Sequence, residues 1–244
     1  MKYGILGDIH SNLGALQAVL DECERQGVDR LLSVGDVVGY GAAPRECLSL
    51  LAEVGAQVVK GNHDAACVGE IDLLSFNPYA REAALWTAEQ LTAQERCTLA
   101  ELPLTIDVEH CSVAHGTYHE PERFDYVQTT NDAEASLDTQ PRLVCFVGHT
   151  HVPVTLLRSR DDPYRTAYTH ETEVELNDVT RALINVGSVG QPRDENALAA
   201  LGIFDSDANL YRLIRVEYDV EREAKRIRDA GLPHVLADRL HLGV

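Results

Sequence analysis

The first sixty residues alternate between short apolar runs and amphipathic stretches, and this order constrains the fold more than any other feature of the chain. Residues 2–7, 31–34 and 56–60 have the apolar character of buried strands. Residues 13–26 carry apolar side chains at helical spacing, and a second helix is predicted to begin at Pro44. This β-α-β-α-β order predicts parallel strands with helices packed on their faces.

A residue with an oxygen donor closely follows each of these three strands. Asp8 follows the first strand, Asp36 the second and Asn62 the third. In sheets of this kind, ligands bind beyond the carboxyl ends of the strands. We therefore expect the three side chains to lie together at one edge of the sheet.

Beyond Pro103 the chain is rich in short apolar runs separated by turn residues. The predicted strands are 104–108, 110–114, 143–147, 152–158, 165–170, 172–177, 182–186, 198–204 and 209–216. Short strands between turn signals favour antiparallel pairing, either in a second sheet or in a mixed extension of the first. A closing helix is predicted over residues 219–230.

Residues 70–103 interrupt the strand pattern with helices. Asn77 and Pro78 open a long helix, and a second helical stretch runs to Pro103. Two interpretations are open: the segment lies near a functional site and covers it, or it packs as an ordinary helix against a sheet face. Because the chain has no internal repeat or linker, we predict a single domain over residues 1–244.

Charge and cysteine content argue against several classes of protein. The formal net charge of −18 argues against an extended nucleic-acid surface or an anionic membrane surface. The six cysteines are spread singly, and no apolar run approaches the roughly 20 residues of a membrane span. Met1 leads directly into the first strand, without a signal peptide. We therefore predict a cytoplasmic protein with reduced thiols.

Five short polar clusters lie along the first two thirds of the chain, each at the end of an apolar run. They are Asp8-Ile9-His10, Gly35-Asp36-Val37-Val38-Gly39, Gly61-Asn62-His63-Asp64, His115-Gly116 and Gly148-His149-Thr150-His151. Carboxylate and amide oxygens mixed with imidazoles in this proportion suit a pair of divalent cations. In the Asp-x-His and His-x-His clusters, a two-residue spacing on extended backbone would send both side chains to the same side.

Each cluster alone is weak evidence for a metal site. Five such clusters in order, each after a predicted strand, together indicate one metal site. Competing motifs are absent: the chain has no HExxH, paired CxxC, DxDxDG, GxxxxGK[ST] or GxGxxG sequence. These absences disfavour a zinc protease, a calcium loop and a nucleotide-cradling loop.

The order of the clusters resembles the calcineurin-like metallophosphoesterase superfamily, whose signature is D-x-H, G-D, G-N-H-[DE], a lone H and G-H-x-H. The resemblance covers essentially the whole chain and is greatest to the compact prokaryotic branch, which has similar segments at 34–44, 77–91 and 185–194. It implies a mixed α/β fold, a two-sheet β-sandwich flanked by helices.

The resemblance also implies two divalent metal ions that share one ligand. The first ion would be held by Asp8, His10, Asp36 and His151, and the second by Asp36, Asn62, His115 and His149. Manganese, iron, zinc and nickel all suit such mixed nitrogen and oxygen ligation. Two cations of this kind clamp a phosphate and activate a bridging water as hydroxide for in-line attack.

His63 is not a ligand in the family, and the resemblance places it beside the substrate with Asp64 orienting its ring. As an imidazolium, His63 would stabilise developing charge or protonate the leaving oxygen. Asn12 and Arg193 are candidate phosphate contacts. Asn12 is equally suited to cap the first helix, and Arg193 to pair with Asp194 or another neighbour.

We therefore expect a dinuclear metal-dependent hydrolase of phosphoesters that acts on a small phosphorylated molecule such as a nucleotide. Phosphodiesters, phosphomonoesters and diadenosine polyphosphates are all open as substrates; phosphoproteins are less favoured, because the small chain leaves little surface to recognise them. Residues 117–121 differ from the Ser-Pro and basic residue that relatives often carry there, so substrate preference does not follow from the resemblance. The alternative is a catalytically silent interaction scaffold of the same fold, against which the complete ligand set argues.

Overall fold

The computed structural model describes every residue from Met1 to Val244, in twelve strands and eight α-helices. The strands are β1 (Lys2–Leu6), β2 (Arg30–Ser33), β3 (Gln57–Val58), β4 (Thr105–Asp107), β5 (Cys111–Ala114), β6 (Val144–Val147), β7 (Val154–Ser159), β8 (Ala167–Thr169), β9 (Glu173–Glu175), β10 (Val179–Asn185), β11 (Ala199–Asp205) and β12 (Leu210–Val216). The helices are α1 (Leu13–Gln26), α2 (Pro44–Glu53), α3 (Asn62–Cys67), α4 (Pro78–Gln90), α5 (Ala93–Ala100), α6 (Thr130–Thr139), α7 (Val220–Asp229) and α8 (His234–Leu242).

The strands form two six-stranded mixed sheets. The first has the order β3-β2-β1-β11-β12-β9, and the second β4-β5-β6-β10-β7-β8. In the first sheet β1, β2 and β3 are parallel, as the β-α-β-α-β order predicts, while β11 pairs antiparallel with β1.

The second sheet corrects the expectation of antiparallel pairing in the second half. Its central strands β5, β6 and β10 are parallel, and only the outer pairs are antiparallel. Helix α6, which the sequence pattern did not reveal, connects β5 to β6 and makes a β-α-β crossover that requires parallel strands.

Alternating side chains of the strands build three successive cores. Tyr3 and Ile5 of β1 face Phe146 and Ile184 of the second sheet and fill the space between the sheets. Leu6, on the opposite face of β1, packs with helices α1 and α2, and helix α6 covers the outer face of the second sheet. The predicted two-sheet sandwich flanked by helices is confirmed.

The segment 70–103 contributes both to packing and to the surroundings of His63. Helix α4 packs against α2 and α3, and its Ala80 and Ala83 share a core with the closing helices α7 and α8. Before α4 begins, Phe76 places its ring 4.9 Å from the ring of His63. The helix itself therefore packs mainly on other helices, while the turn that precedes it reaches the strand-end loops.

No helix of the structure has the length and apolar character needed to span a membrane.

Candidate metal centre

The loops that follow β1, β2, β3, β5 and β6 converge, and their polar side chains form two groups. The first ligand group is Asp8, His10, Asp36 and His151, and the second is Asp36, His115 and His149. The donor atoms of each group lie within 4.8 Å of one another, and every member is buried. Asn62 joins the second group, with its Oδ1 3.0 Å from His115 Nε2. Asp36 belongs to both groups, as a bridging ligand must.

Five of the seven predicted ligands have left-handed backbone, which non-glycine residues rarely adopt. The φ angles are 42° at Asp8, 48° at His10, 51° at Asp36, 68° at His149 and 62° at His151. Each such residue costs about 1–3 kcal/mol, and such strain collects at functional sites. The cost indicates that these loops are shaped to aim side chains rather than to connect elements with least strain.

The prediction of extended backbone at the two-residue spacings is therefore wrong. Asp8 and His10 reach the same group through left-handed turns. His149 and His151, at the same spacing, enter different groups.

Backbone carbonyls determine which nitrogen of three imidazoles carries the hydrogen. Nδ1 lies 3.1 Å from Val38 O in His10, 2.8 Å from Val34 O in His115 and 2.6 Å from Gln191 O in His151. Because a carbonyl oxygen can only accept, each Nδ1 donates, and each neutral ring directs the lone pair of Nε2 into the centre. Histidines that bind metals are commonly held by this second hydrogen bond.

Nitrogen atoms meet in pairs in the middle of the centre. Nε2 of His10 is 3.1 Å from Nε2 of His151, and Nε2 of His115 is 3.0 Å from Nδ1 of His149. Two lone pairs at this distance repel each other unless a proton or a cation lies among them. The buried Nε2 of His149 has no hydrogen-bond partner. The donor set of carboxylates, an amide and imidazoles fits divalent cations.

Burial keeps three of these rings neutral. It lowers the pKa of His10 and of His151 well below the ordinary value, and that of His149 to about 2. Neutral imidazole is the form that binds a metal, so these rings need lose no proton to do so.

Asp36 dominates the charge balance of the centre. Burial opposes the charge of both partners, but Asp36 Oδ2 lies 3.4 Å from His115 Nε2 and raises the pKa of that imidazole to about 9. The imidazoles of His115 and His63 in turn outweigh burial and hold the pKa of Asp36 well below its ordinary value. Neighbouring imidazoles stabilise the charge of Asp8 less, and burial raises its pKa to about 7.

Two glycines in the clusters make room for the carboxylates. A Cβ atom on Gly61 would lie 2.1 Å from Asp36 Oδ1, and one on Gly148 would lie 2.4 Å from Asp8 Oδ2. Any larger residue at either position would displace a carboxylate of the centre. These glycines therefore belong to the site, although they offer no side-chain ligand.

His63 borders the centre and is held by aromatic packing. Its ring centroid is 4.4 Å from that of Tyr40, 4.9 Å from that of Phe76 and 4.8 Å from that of His10. Its Nδ1 faces Gly39, where a Cβ atom would lie 2.5 Å away, and has no hydrogen-bond partner. Burial lowers the pKa of His63 to about 4.

The expected contact between Asp64 and the His63 ring is not formed. The Asp64 carboxylate instead accepts hydrogen bonds from the backbone N–H of Gly61 at 2.9 Å and of Val38 at 3.2 Å. His63 and Asp64 are consecutive residues of helix α3, and consecutive helical side chains do not face each other. Asp64 therefore closes the turn before α3 and ties it to the loop after β2.

Asn12 acts as a helix cap in the structure. Its Oδ1 accepts from Ala15 N at 3.0 Å, and its Nδ2 donates to Gly190 O at 2.9 Å and to Tyr218 Oη at 3.3 Å. Of the two roles open to it, the structure supports the cap and not the phosphate contact, because its polar atoms already have partners.

Arg193, in contrast, has no carboxylate partner. Asp194 pairs with Arg215 instead. The guanidinium of Arg193 donates to Gln191 Oε1 at 3.1 Å, its buried Nε is unpartnered, and its Cζ lies 5.6 Å from the centroid of the Tyr40 ring. Its remaining donors are free for an anion.

Tyr126 and Phe124 are site residues that the sequence pattern did not identify. The Tyr126 ring stacks on His149, with a centroid distance of 3.7 Å and an interplanar angle of 19°. Phe124 meets His115 edge-on at 5.9 Å. Both lie in the irregular loop between β5 and α6, where no periodicity marks them; their only signal is an aromatic type soon after a predicted ligand.

Comparison with known proteins identifies the family of the chain and agrees with its fold. The calcineurin-like phosphoesterase superfamily domain matches residues 1–208. An uncharacterised protein of Methanocaldococcus jannaschii is 35% identical over 243 residues, which cover 98% of this chain and 97% of that one. This chain therefore belongs to the calcineurin-like phosphoesterase superfamily.

Two solved structures resemble the chain over its whole length. The crystal structure of a metallophosphoesterase from Sphaerobacter thermophilus has a TM-score of 0.87 and 38% identity, and the match covers 100% of this chain and 99% of that one. A hypothetical protein from Pyrococcus horikoshii has the same fold, with a TM-score of 0.80, 21% identity, and coverage of 100% and 98%.

Proposed function

We propose that this protein is a dinuclear metal-dependent hydrolase of phosphoesters that acts on small phosphorylated molecules, nucleotides among them. The observation that carries the proposal is the pair of buried ligand groups that share Asp36. Membership of the superfamily and 38% identity to a structure described as a metallophosphoesterase support it.

The first ligand group would hold one cation, and the second group with Asn62 would hold the other. Manganese, iron, zinc and nickel all fit the mixed ligands. Two divalent cations here would polarise the phosphoryl oxygens and bring the pKa of a bound water close to neutral pH.

In this proposal Arg193 binds the phosphate. A guanidinium presents several donors in a plane and binds phosphate oxygens in pairs. Since Arg193 has no carboxylate partner, no existing ion pair has to break when an anion arrives. With a formal net charge of −18, the chain as a whole repels anions, so the attraction has to be local.

In this proposal His63 donates the proton to the leaving group. Its pKa of about 4 leaves the ring neutral near pH 7 in the free protein. A phosphate beside it would raise this pKa, because an adjacent negative charge favours the imidazolium. A proton donor of this kind contributes about 10²–10⁴-fold to the rate.

The substrate reaches the centre through a cleft of about 860 Å³, here called the His63 cleft, lined by Tyr40, Asn62, His63, Phe76, Phe124 and His149. A cleft of this volume suits a small molecule or a nucleotide. A macromolecular substrate is not needed to explain a cleft of this size.

Turnover of bis(p-nitrophenyl) phosphate and a panel of nucleotides by protein loaded with Mn²⁺ tests the proposal. We expect hydrolysis by the wild type and a loss of about 10²–10⁴-fold in His63→Ala at unchanged metal content. His110→Ala is the matched control, because His110 precedes β5 at the end opposite the centre. Bound metal without turnover of any ester would instead support the silent scaffold.

A further inference from the structure

Two clefts lie beside the metal centre and share Tyr126 as a lining residue. The first is the His63 cleft. The second, here called the Tyr168 groove, has a volume of about 850 Å³ and is lined by Tyr126, Thr150, Val154, Leu156, Tyr168 and Arg193 among others. Tyr126 is the residue that the two linings have in common.

The Tyr168 groove lies beside the predicted ligands, because Tyr126, which lines it, stacks on His149. Thr150 stands between His149 and His151 in the chain. The backbone N–H of Arg193 donates to His151 O at 3.3 Å, and its side chain lines the groove. A substituent on a phosphate bound by Arg193 would therefore lie next to this groove.

The chemistry of the groove suits a planar apolar group. Val152, Val154 and Leu156 line it together with the rings of Tyr126 and Tyr168. Tyr126 and Tyr168 are 51% and 64% exposed; one face of the Tyr126 ring stacks on His149, and the rest of both rings is accessible to a ligand. Aromatic faces and aliphatic side chains bind flat rings well, and no carboxylate lines the groove to repel a phosphoester.

We infer that the substrate is a phosphodiester whose two organic arms occupy the two clefts, with a planar aromatic arm in the Tyr168 groove. This inference rests on the proposed function. A phosphomonoester has one organic arm and would leave one cleft without a ligand group. A diester has two, one for each cleft.

The position of His63 indicates which arm of the diester occupies which cleft. Its ring lines the His63 cleft, so the leaving oxygen lies on that side and the retained arm lies in the Tyr168 groove. Hydrolysis joins the oxygen of water to phosphorus and breaks the bond from phosphorus to the leaving oxygen, which takes up a proton. The products are a free alcohol or phenol and a phosphomonoester that carries the retained arm.

Three esters with the same leaving group test the inference: bis(p-nitrophenyl) phosphate, methyl p-nitrophenyl phosphate and p-nitrophenyl phosphate, with Mn²⁺. We expect kcat/KM to fall in that order. Replacing Tyr168 by Ala should lower kcat/KM for the aromatic diester about tenfold and leave that for the methyl diester unchanged, since only the aromatic arm uses the ring. Tyr164→Ala, at a position 93% exposed and outside both clefts, should change neither.

Calorimetry with phenylphosphonate and methylphosphonate measures the groove without turnover. Wild-type protein with Mn²⁺ should bind the phenyl compound about tenfold more tightly, and Tyr168→Ala should remove the difference. Equal affinities in the wild type, or a monoester preferred over both diesters, would overturn the inference. If no ester is hydrolysed, the proposed function fails, while the calorimetric difference still decides whether the groove binds an aromatic arm.

Discussion

Replacing Gly61 by Ala tests how tightly the chain is built around Asp36. The backbone at Gly61 has φ −95° and ψ 172°, which alanine adopts without strain. The added methyl group would nevertheless lie 2.1 Å from Asp36 Oδ1 and 2.4 Å from Asp36 N. Carbon and oxygen atoms not bonded to each other stay more than about 3 Å apart, so the carboxylate or the turn must move by roughly 1 Å.

The expected cost to folding is moderate, and the cost to the site is large. Overpacking of this kind lowers the free energy of unfolding by about 1–3 kcal/mol, which leaves a domain of ordinary stability folded. A displacement of about 1 Å at a reacting centre costs about 10²-fold in rate. Because Asp36 serves both ligand groups, binding of both metals should weaken together.

Metal content by mass spectrometry and turnover of bis(p-nitrophenyl) phosphate measure this outcome, with circular dichroism as the check on folding. Gly148→Ala is the matched control, because its methyl group would meet Asp8 Oδ2 at 2.4 Å and Asp8 belongs only to the first ligand group. We expect both metals to be weakened in Gly61→Ala and one in Gly148→Ala. Two metals and wild-type turnover in folded Gly61→Ala would refute the reasoning.

Three further predictions concern the turn before α3 and the metals. Replacing Asp64 by Ala should lower the free energy of unfolding by about 0.5–2 kcal/mol in denaturant titrations, because it removes the acceptor for the backbone N–H groups of Gly61 and Val38. An altered pH–rate profile at unchanged stability would instead make Asp64 a partner of His63. Removal of metal by a chelator should lower the melting temperature, and Mn²⁺ at 100 times its Kd should raise the free energy of unfolding by about 2.7 kcal/mol per site. An unchanged melting temperature would argue against metal binding to the native state. The pKa of about 9 at His115 means that the metal-free protein holds a proton there at pH 7. Binding must displace this proton, so Mn²⁺ affinity should rise with pH up to about pH 9. Calorimetry at pH 8 in buffers of different ionisation enthalpy should detect the released proton, because Asp8, with a pKa of about 7, is mostly ionised there; no proton release at pH 8 would contradict the assignment to His115.

The position of the ligands along the chain could be predicted because it follows from strand periodicity. Apolar runs before Asp8, Asp36 and Asn62 mark parallel strands, and parallel strands bring their carboxyl ends to one edge. The same signal placed His115 and His149 after β5 and β6, which are also parallel.

The local backbone of the site could not be predicted in this way. Nothing in the residue types at Asp8 or His149 shows that their backbone is left-handed, because that conformation is imposed by packing from elsewhere in the chain. Helix α6 was missed because its buried side is only Ala133, Ser136 and Leu137, too short a stripe to be recognised.

Contacts between distant parts of the chain explain the remaining differences. Asp194 does not pair with its neighbour Arg193, because it pairs with Arg215 of β12. Asp64 fails to reach His63 because both belong to a short helix whose start was not recognised. Tyr126 becomes a site residue only because its loop returns over His149.

The most direct test of the account is anomalous scattering from crystals of the protein grown with Mn²⁺. The account predicts two manganese peaks that share Asp36 as a ligand, about 3.5–4 Å apart. One peak should contact Asp8, His10 and His151, and the other Asn62, His115 and His149. No peak beside Asp36, or a single ion held by one ligand group only, would contradict it.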